Sequence, residues 1–421
     1  MNRVRLFFIR LRQRLWFRPL IMCLLSLVGV FLAKGLEYLP LPANIPTVSV
    51  DSVATLLATL AATMLVVATF AVASMVSAYA AAASTATPRT FPLMIADDTS
   101  QNSLSIFLGA FIYGVAGVIF LKNDFYIKDG RTVLFILTLI TFAVVILTFV
   151  RWIDSVARLG RLGSTIDKVE AATRASLMRR RILPTLGCRI AHPRIAPGTG
   201  TSVPTGRIGY VQHLDVAALQ TQAQAEKLRI AVRALPGTFA EPGRMLAEVI
   251  GDDGKPAACN EEKIRAAFVV DGGRTFEDDP RFGLVVLSEI AGRALSPAVN
   301  DPGTAIDIIG TLVRLFAAWA EPVPPQDLRA CEFDRVELPV LSVNDMFDDA
   351  FTAIARDGAA SIEVAARLQK GLRSLASLGH QEMAEAARRH ARMAVSRAEA
   401  AMTLEEDRAA VRSLAAFSRL D

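Results

Sequence analysis

Residues 53–83 read VATLLATLAATMLVVATFAVASMVSAYAAAA, without one charged side chain. About 20 apolar residues suffice for a helix to cross the ~30 Å hydrocarbon layer of a bilayer, so the stretch defines a membrane helix. Its polarity is confined to hydroxyls. At about 100° per residue, Ser52, Thr55, Thr59, Thr63, Thr69, Ser74, Ser77 and Ser84 fall within an arc of about 140°. Val53, Leu57, Leu60, Met64, Ala68 and Met75 occupy the other side. From Thr55 to Ser77 the stripe extends about 33 Å, and Val66 and Phe70 interrupt it with an apolar ring. One reading makes Thr55, Thr59, Thr63, Ser74 and Ser77 pore-lining, with Val66 and Phe70 as a hydrophobic constriction. The other makes the stripe a packing face, its hydroxyls bonded to the i−4 carbonyls and its small residues admitting a neighbouring helix.

Outward from this stretch, the chain of 421 residues is 52% hydrophobic, with mean hydropathy +0.38. That is too apolar for an ordinary soluble protein, and the excess lies in the first 155 residues. Further spans are predicted at 20–36, 104–121 and 133–152, giving four transmembrane helices. The first is read as a retained span rather than a cleaved leader. Arginines precede it (Arg3, Arg5, Arg10, Arg12, Arg14, Arg18) and follow the fourth span (Arg151, Arg158, Arg161, Arg174, Arg179, Arg180, Arg181). By the positive-inside rule both termini are cytoplasmic, which fits a bacterial inner (plasma) membrane. The net charge of +5 is explained by this lipid-side arginine, and no nucleic-acid partner is expected. No mid-membrane Asp, Glu, Lys, Arg or His appears in spans two to four, which argues against a proton relay or ion-coupled transporter. Ala110 and Gly114 in the third span form a small-xxx-small packing pair.

Six regions follow. Residues 1–19 mix arginine with Phe, Ile and Trp, as an interfacial amphipathic helix does. Residues 20–155 are the four-helix membrane domain, and 156–200 an arginine-rich stalk and linker. Residues 201–258 alternate with period two in GRIGYVQHLDV, KLRIAVRAL and RMLAEVI, predicting a small β domain, barrel- or sandwich-like. The run PGTFAEPGRMLAEV resembles the hammerhead turns of barrel-sandwich carriers, although no lysine sits at a hairpin tip. Residues 259–345 form a helical subdomain and 346–421 a C-terminal helical region, with Gly358 and Gly379 as helix ends and Thr403–Glu406 as a capping box. The fold class is thus a four-helix membrane domain followed by a cytoplasmic mixed α/β domain with a C-terminal helical part.

Chemistry is sparse. None of GxxxxGK[ST], HExxH, GxSxG or paired CxxC occurs, so no catalytic residue, metal site or cofactor is expected. Cys188 and His192 lack a second ligand pair, and Glu277–Asp278–Asp279 reads as a solvated turn. Asp279-Pro280, Ser296-Pro297 and Asp301-Pro302 each set a capping oxygen before a proline at N1. Helices should start at 280 and 302, with one turn at 297. Converging helix N-termini with nearby arginines suit an anion, and Arg274, Arg281, Ser296, Asn300, Asp301 and Thr304 are the candidate ligand-binding residues. The alternative is a sharp corner.

The segment LSEIAGRALSPAVNDPGTAID, together with TPRTFPLMIADDTSQNSLSIFLGAFIYG, GYVQHLDVAAL and RTFEDDPRFGL, resembles a family of bacterial multi-pass membrane proteins of unknown function with an ALSPAxNDPxTA signature. The resemblance covers most of the chain and implies membrane spans followed by a cytoplasmic region, with no activity attached. From the residues, the expected function is a homo-oligomeric channel for ions or small solutes, lined by the second span and regulated by the cytoplasmic domain. Four spans per chain cannot enclose a conduit, hence the homo-oligomer. The alternative is a membrane-anchored ligand-binding or scaffold module. Partners are then the lipid bilayer, further copies of the chain, and a small anion or ion.

Overall fold

The computed structural model describes residues 16–36, 48–95, 98–158, 161–191, 198–324 and 330–419, which fall into two compact units dividing at Thr165/Ile166. The interfacial helix expected at 1–19 lies, through residue 15, outside the described residues, as does His192.

The first unit is helical: α1 (Phe17–Gly35), α2 (Val50–Thr85), a 3-10 turn at Pro88–Thr90, α3 (Phe91–Ile95), α4 (Asp98–Lys122) and α5 (Lys128–Arg158). Pro88 ends α2, and the Thr87 side chain accepts from the Arg89 amide to start the 3-10 turn. The α4 helix is the hub. Half of its apolar stretch is buried, against 11% for α1, and it packs on both α1 and α2. Glycines set those crossings. A Cβ on Gly109 would lie 2.9 Å from Ser26 Oγ, and one on Gly114 would lie 2.8 Å from Leu57 O and 3.0 Å from Ala61 Cβ. Lipid tails are as apolar as leucine, so close approach of small residues does what burial does in water. The Ala110–Gly114 pair is therefore a packing device. The Tyr126 hydroxyl donates to Val30 O (2.9 Å), tying the α4–α5 turn to α1.

The second unit is mixed. Its elements are α6 (Leu162–Ile182, from Ile166 onward), β1 (Cys188–Ile190), β2 (Thr201–Pro204), β3 (Gly209–Leu214), α7 (Val216–Ala225), β4 (Leu228–Val232), β5 (Phe239–Ala240), β6 (Met245–Gly251), α8 (Glu261–Ala266), β7 (Phe268–Asp271), α9 (Pro280–Ala294), α10 (Pro302–Ala320), β8 (Phe333–Leu338), α11 (Val343–Asp357), α12 (Ile362–Ala376), α13 (Gln381–Ala401) and α14 (Glu405–Leu414). The period-two stretches form β3, β4 and β6 as read. The expected barrel or sandwich does not form among the described residues: the strands make an open five-stranded sheet, β1-β8-β4-β6-β2, and a three-stranded one, β5-β3-β7. The reason is distance along the chain. The β8 strand pairs in parallel with both β4 and β1, and a parallel pair needs a long crossover, here everything from β5 to α10. The sheet therefore draws β1 and β8 from outside 201–258, so that segment is not self-contained. Nor is α6 a free stalk. Thr173 abuts Gly283 of α9 so closely that a Cβ there would collide with it, and Glu170 holds Arg314 of α10 at 2.6 Å.

Among the described residues, five helices are long and apolar enough to cross a membrane: α1, α2, α4, α5 and α10. The fifth differs in its setting. It buries Ile308, Ile309, Leu312, Leu315 and Phe316 on one side, packs against α9 and α12, and turns Arg314 outward to Glu170. Phe316 joins Phe347 and Phe351 of α11 in an aromatic cluster with centroids 4.5 to 5.6 Å apart. The capping box expected at Thr403 is not made. The α14 helix starts one residue later, with Leu404 at the N-cap and no side-chain cap; Glu405, Glu406 and Asp407 in its first turn complement the helix dipole instead.

Candidate functional site

The α2 helix turns its apolar side inward. Val53, Leu57, Leu60, Met64, Ala68, Ala71 and Met75 are buried against the unit's other helices. The opposite side carries the hydroxyls: Thr55, Thr59, Thr63, Thr69 and Ser77 are exposed and Ser74 is half-buried. Val66 and Phe70 are 69% and 63% exposed on the same side, with the Phe70 ring edge-on to Trp152 at 6.0 Å. The subunit's own helices therefore leave this stripe uncovered. Three of the threonines are nonetheless satisfied locally. Thr59 Oγ1 donates to Thr55 O (2.7 Å), Thr63 to Thr59 O (2.8 Å) and Thr69 to Leu65 O (2.8 Å). A hydroxyl that donates inward keeps its lone pairs outward, so the stripe presents acceptors with no formal charge, a surface suited to water and cations. The face is wider than the 140° arc. Leu65, Val72 and Val76 are exposed beside the hydroxyls, and a broader helical projection would have included them.

The second set of sequence-derived residues does not converge. Arg274 grips Asp279 through two nitrogens (2.6 and 3.1 Å). Asp279 in turn caps α9, accepting from the Arg281 and Phe282 amides at 3.2 Å. At 2% exposure Asp279 is not part of a solvated turn. Burial pushes its carboxyl up, while Arg274 and the two amides pull the other way. Neighbouring Asp278 also has a partner, His213 Nδ1 at 2.5 Å. Arg281 reaches Asp349 (2.6 Å) and Asp345 (2.7 Å) on α11. Both arginines are thus taken by carboxylates. Ser296, Asn300, Asp301 and Thr304 lie beyond the other end of α9, a 15-residue helix about 22 Å long. There they build a corner. Ser296 Oγ donates to Arg293 O (2.7 Å) rather than capping a helix, and Asn300 takes the left-handed conformation at φ 49°. The Asp301 amide donates to Ala294 O (2.8 Å), and the Asp301 carboxylate caps α10 through the Thr304 amide (3.1 Å) and hydroxyl (2.6 Å). The Thr304 hydroxyl holds the Asp301 carboxyl below its ordinary value. The six residues fix two separate joints of the fold, so this anion site is not assembled as expected.

A helical unit with one long uncovered hydroxyl face, followed by a mixed α/β unit, defines the class: a membrane protein with several apolar helices and a mixed α/β part. Residues 12–374 match the family model described as "Predicted membrane protein (DUF2254)", and the chain belongs to that family. Among curated proteins it is similar to the "Uncharacterized protein Rv1290c" of Mycobacterium tuberculosis and the "Uncharacterized protein Mb1321c" of Mycobacterium bovis, each 28% identical over 144 residues, or 34% of this chain. The match spans 28% of either relative's length. No solved structure matches.

Proposed function

We propose that the protein is a homo-oligomeric conduit for ions or small solutes, lined by the uncovered face of α2 and regulated by the α/β unit. The carrying observation is that the stripe from Thr55 to Ser77 points away from the subunit's own helices. A face with that many acceptors gains from water or from another copy more than from lipid tails. In this reading four helices cross, α1, α2, α4 and α5. The α10 helix stays in the cytoplasmic unit, where its apolar side is already covered by α9 and α12. The arginines before α1 and after α5 set both termini on the cytoplasmic side of a bacterial inner membrane. Val66 and Phe70 form the constriction. Purified protein in liposomes should pass small ions, and Phe70→Ser should raise the flux while leaving the subunit folded, since that ring is mostly exposed. Flux no greater than that of empty liposomes, with Phe70→Ser equally silent across voltage and membrane tension, would sink the proposal.

The local satisfaction of the threonines, with Leu65, Val72 and Val76 beside them, favours a second reading: a lipid-facing anchor for a ligand-binding α/β unit. Cysteines placed at Thr59 and Thr63 discriminate. Efficient cross-linking between copies supports the conduit, and labelling only by lipid-soluble reagents supports the anchor.

A further inference from the structure

Arg180 sits in the last turn of α6 and is 5% exposed. It makes no hydrogen bond or ion pair among the described residues, and its Nε and Nη2 are buried without a partner. Other guanidinium groups of the unit are treated differently: Arg274 is held by Asp279 and Arg233 by Glu248. Neutralisation does not resolve the mismatch, because burial brings Arg180 down only to about 10, so it stays cationic at neutral pH. The nearby Asp278 carboxylate favours the charge without bonding to it, and a buried charge with no hydrogen-bonded partner is among the costliest features a fold can keep.

What Arg180 borders gives it a use. With Arg181, Trp319, Glu321, Val340 and His380 it lines a cavity of about 260 Å³. Arg181 donates to Ala318 O at the C-terminal end of α10 and lies 3.7 Å from Glu321 Oε2; its Nε is also unpartnered. His380 caps α13 with Nδ1, which accepts from the Met383 amide (3.4 Å), so the cap leaves Nε2 unused. Among the lining residues two arginines face one glutamate, Asp278 acts on Arg180 from outside the lining while bonded to His213, and the carbonyl end of α10 lowers the local potential further. One negative charge therefore suits the site better than two. Trp319, Val340, Pro322 and Leu341 make the remaining wall apolar.

We propose that this cavity binds a small organic monoanion, a carboxylate with an apolar body, its charge answering Arg180 and its body lying against Trp319 and Val340. Guanidinium is the side chain best shaped for that partner. The site does not depend on the conduit reading. Benzoate is a suitable probe, titrated into the full-length protein in detergent, with benzyl alcohol as the neutral analogue and inorganic phosphate as the multivalent anion. Benzoate should release or absorb heat and raise the thermal midpoint. Benzyl alcohol should do neither, and phosphate should bind at least tenfold more weakly. Arg180→Met should raise the midpoint of the unliganded protein, by removing an unpaired charge, and abolish the benzoate shift. Val340→Glu alters a side chain that is 51% exposed and sets a competing carboxylate at the wall; it should weaken benzoate at least tenfold and decides the matter alone if Arg180→Met fails to fold. Absence of benzoate binding at millimolar concentration, variants that bind it as the native protein does, or phosphate binding equally well would each overturn the proposal.

Discussion

Thr63, inside one helix, and Asp279, capping another, are both polar and are satisfied in opposite ways. Thr63 donates to the carbonyl four residues back in its own helix, as do Thr59, Thr69, Thr138 and Thr141. Most hydroxyl bonds of the membrane unit stay within one helix, and glycine contacts set which helices meet. In the α/β unit the polar contacts join distant segments. Arg281 reaches 64 and 68 residues ahead to Asp345 and Asp349, Arg314 reaches Glu170 across 144, and Arg335 reaches Asp252 across 83. The difference follows from the solvent. A helix that crosses a bilayer cannot count on water along its length, so it satisfies polar atoms within itself and specifies its partners by shape. The α/β unit instead uses charge to tie helices together, at the risk of stranding one charge when its partner goes.

Breaking the comparison at its strongest point means removing Asp279. Asp279→Ala leaves Arg274 part-buried and unpaired and uncaps α9, and should cost about 3–5 kcal/mol. Chemical unfolding of the full-length protein in detergent measures it, and Arg274→Met combined with Asp279→Ala should recover a large part of the loss. A cost under about 1 kcal/mol would mean that the pair is no stronger than a surface one.

The next effect is a pH dependence confined to the α/β unit. His390 is 1% exposed, packed near Phe347 and Phe351, with Nε2 3.0 Å from Asp348. Burial, aided by Arg389, pushes it down from 6.5 to about 4. Above pH 6.5 folded and unfolded chains are both neutral there, and the group has no effect. As pH falls from 6.5 toward 4 the unfolded chain binds a proton that the folded chain does not, and about 3 kcal/mol of stability is lost. His390→Gln should flatten that limb. Unfolding curves at about pH 7 and about pH 4.5 test it, and an acid loss of the same size in the variant would refute the assignment.

Gly114→Val tests the membrane half. The new Cβ would meet the Leu57 carbonyl and Ala61, backbone and near-backbone atoms with no room to yield, so α2 and α4 must separate at a cost of about 1–3 kcal/mol. Titration with sodium dodecyl sulfate in mixed micelles reads this. Gly35→Val, with nothing within 4 Å of its Cβ, is the control that should change little.

These pairs also show what the sequence alone could reveal. The membrane helices, strands β3, β4 and β6, and the proline-led starts of α9 and α10 all rest on local signals: hydrophobic runs, period two, and Asp before Pro. The five-stranded sheet does not. Its β1 strand has three residues, and β8 sits some hundred positions from the β4 strand it pairs with, so no local pattern announces the join. The arginine run 179–181 shows the same limit. Composition reads it as a basic flank, but successive helical residues point about 100° apart. Arg179 is exposed, Arg181 half-buried and Arg180 buried, and only the tertiary fold sorts them. On α2 the wheel found the hydroxyls correctly. It could not tell whether a neighbouring helix covered them.

The smallest effect is the most diagnostic for that face. Thr63→Val replaces a hydroxyl by a methyl of similar volume at an exposed position. The lost bond ran to Thr59 O, a carbonyl still within the α2 helix, so no buried donor or acceptor is stranded. The stability change should stay under about 0.5 kcal/mol by the same dodecyl sulfate titration. That quietness makes the variant useful. If the α2 face lines water, removing one acceptor per subunit should slow ion flux without loosening the fold; if the face meets lipid, flux and stability both stay as they were. A loss above about 2 kcal/mol would mean instead that Thr63 is wedged against another copy, because only an ordered neighbour makes one exposed methyl so expensive.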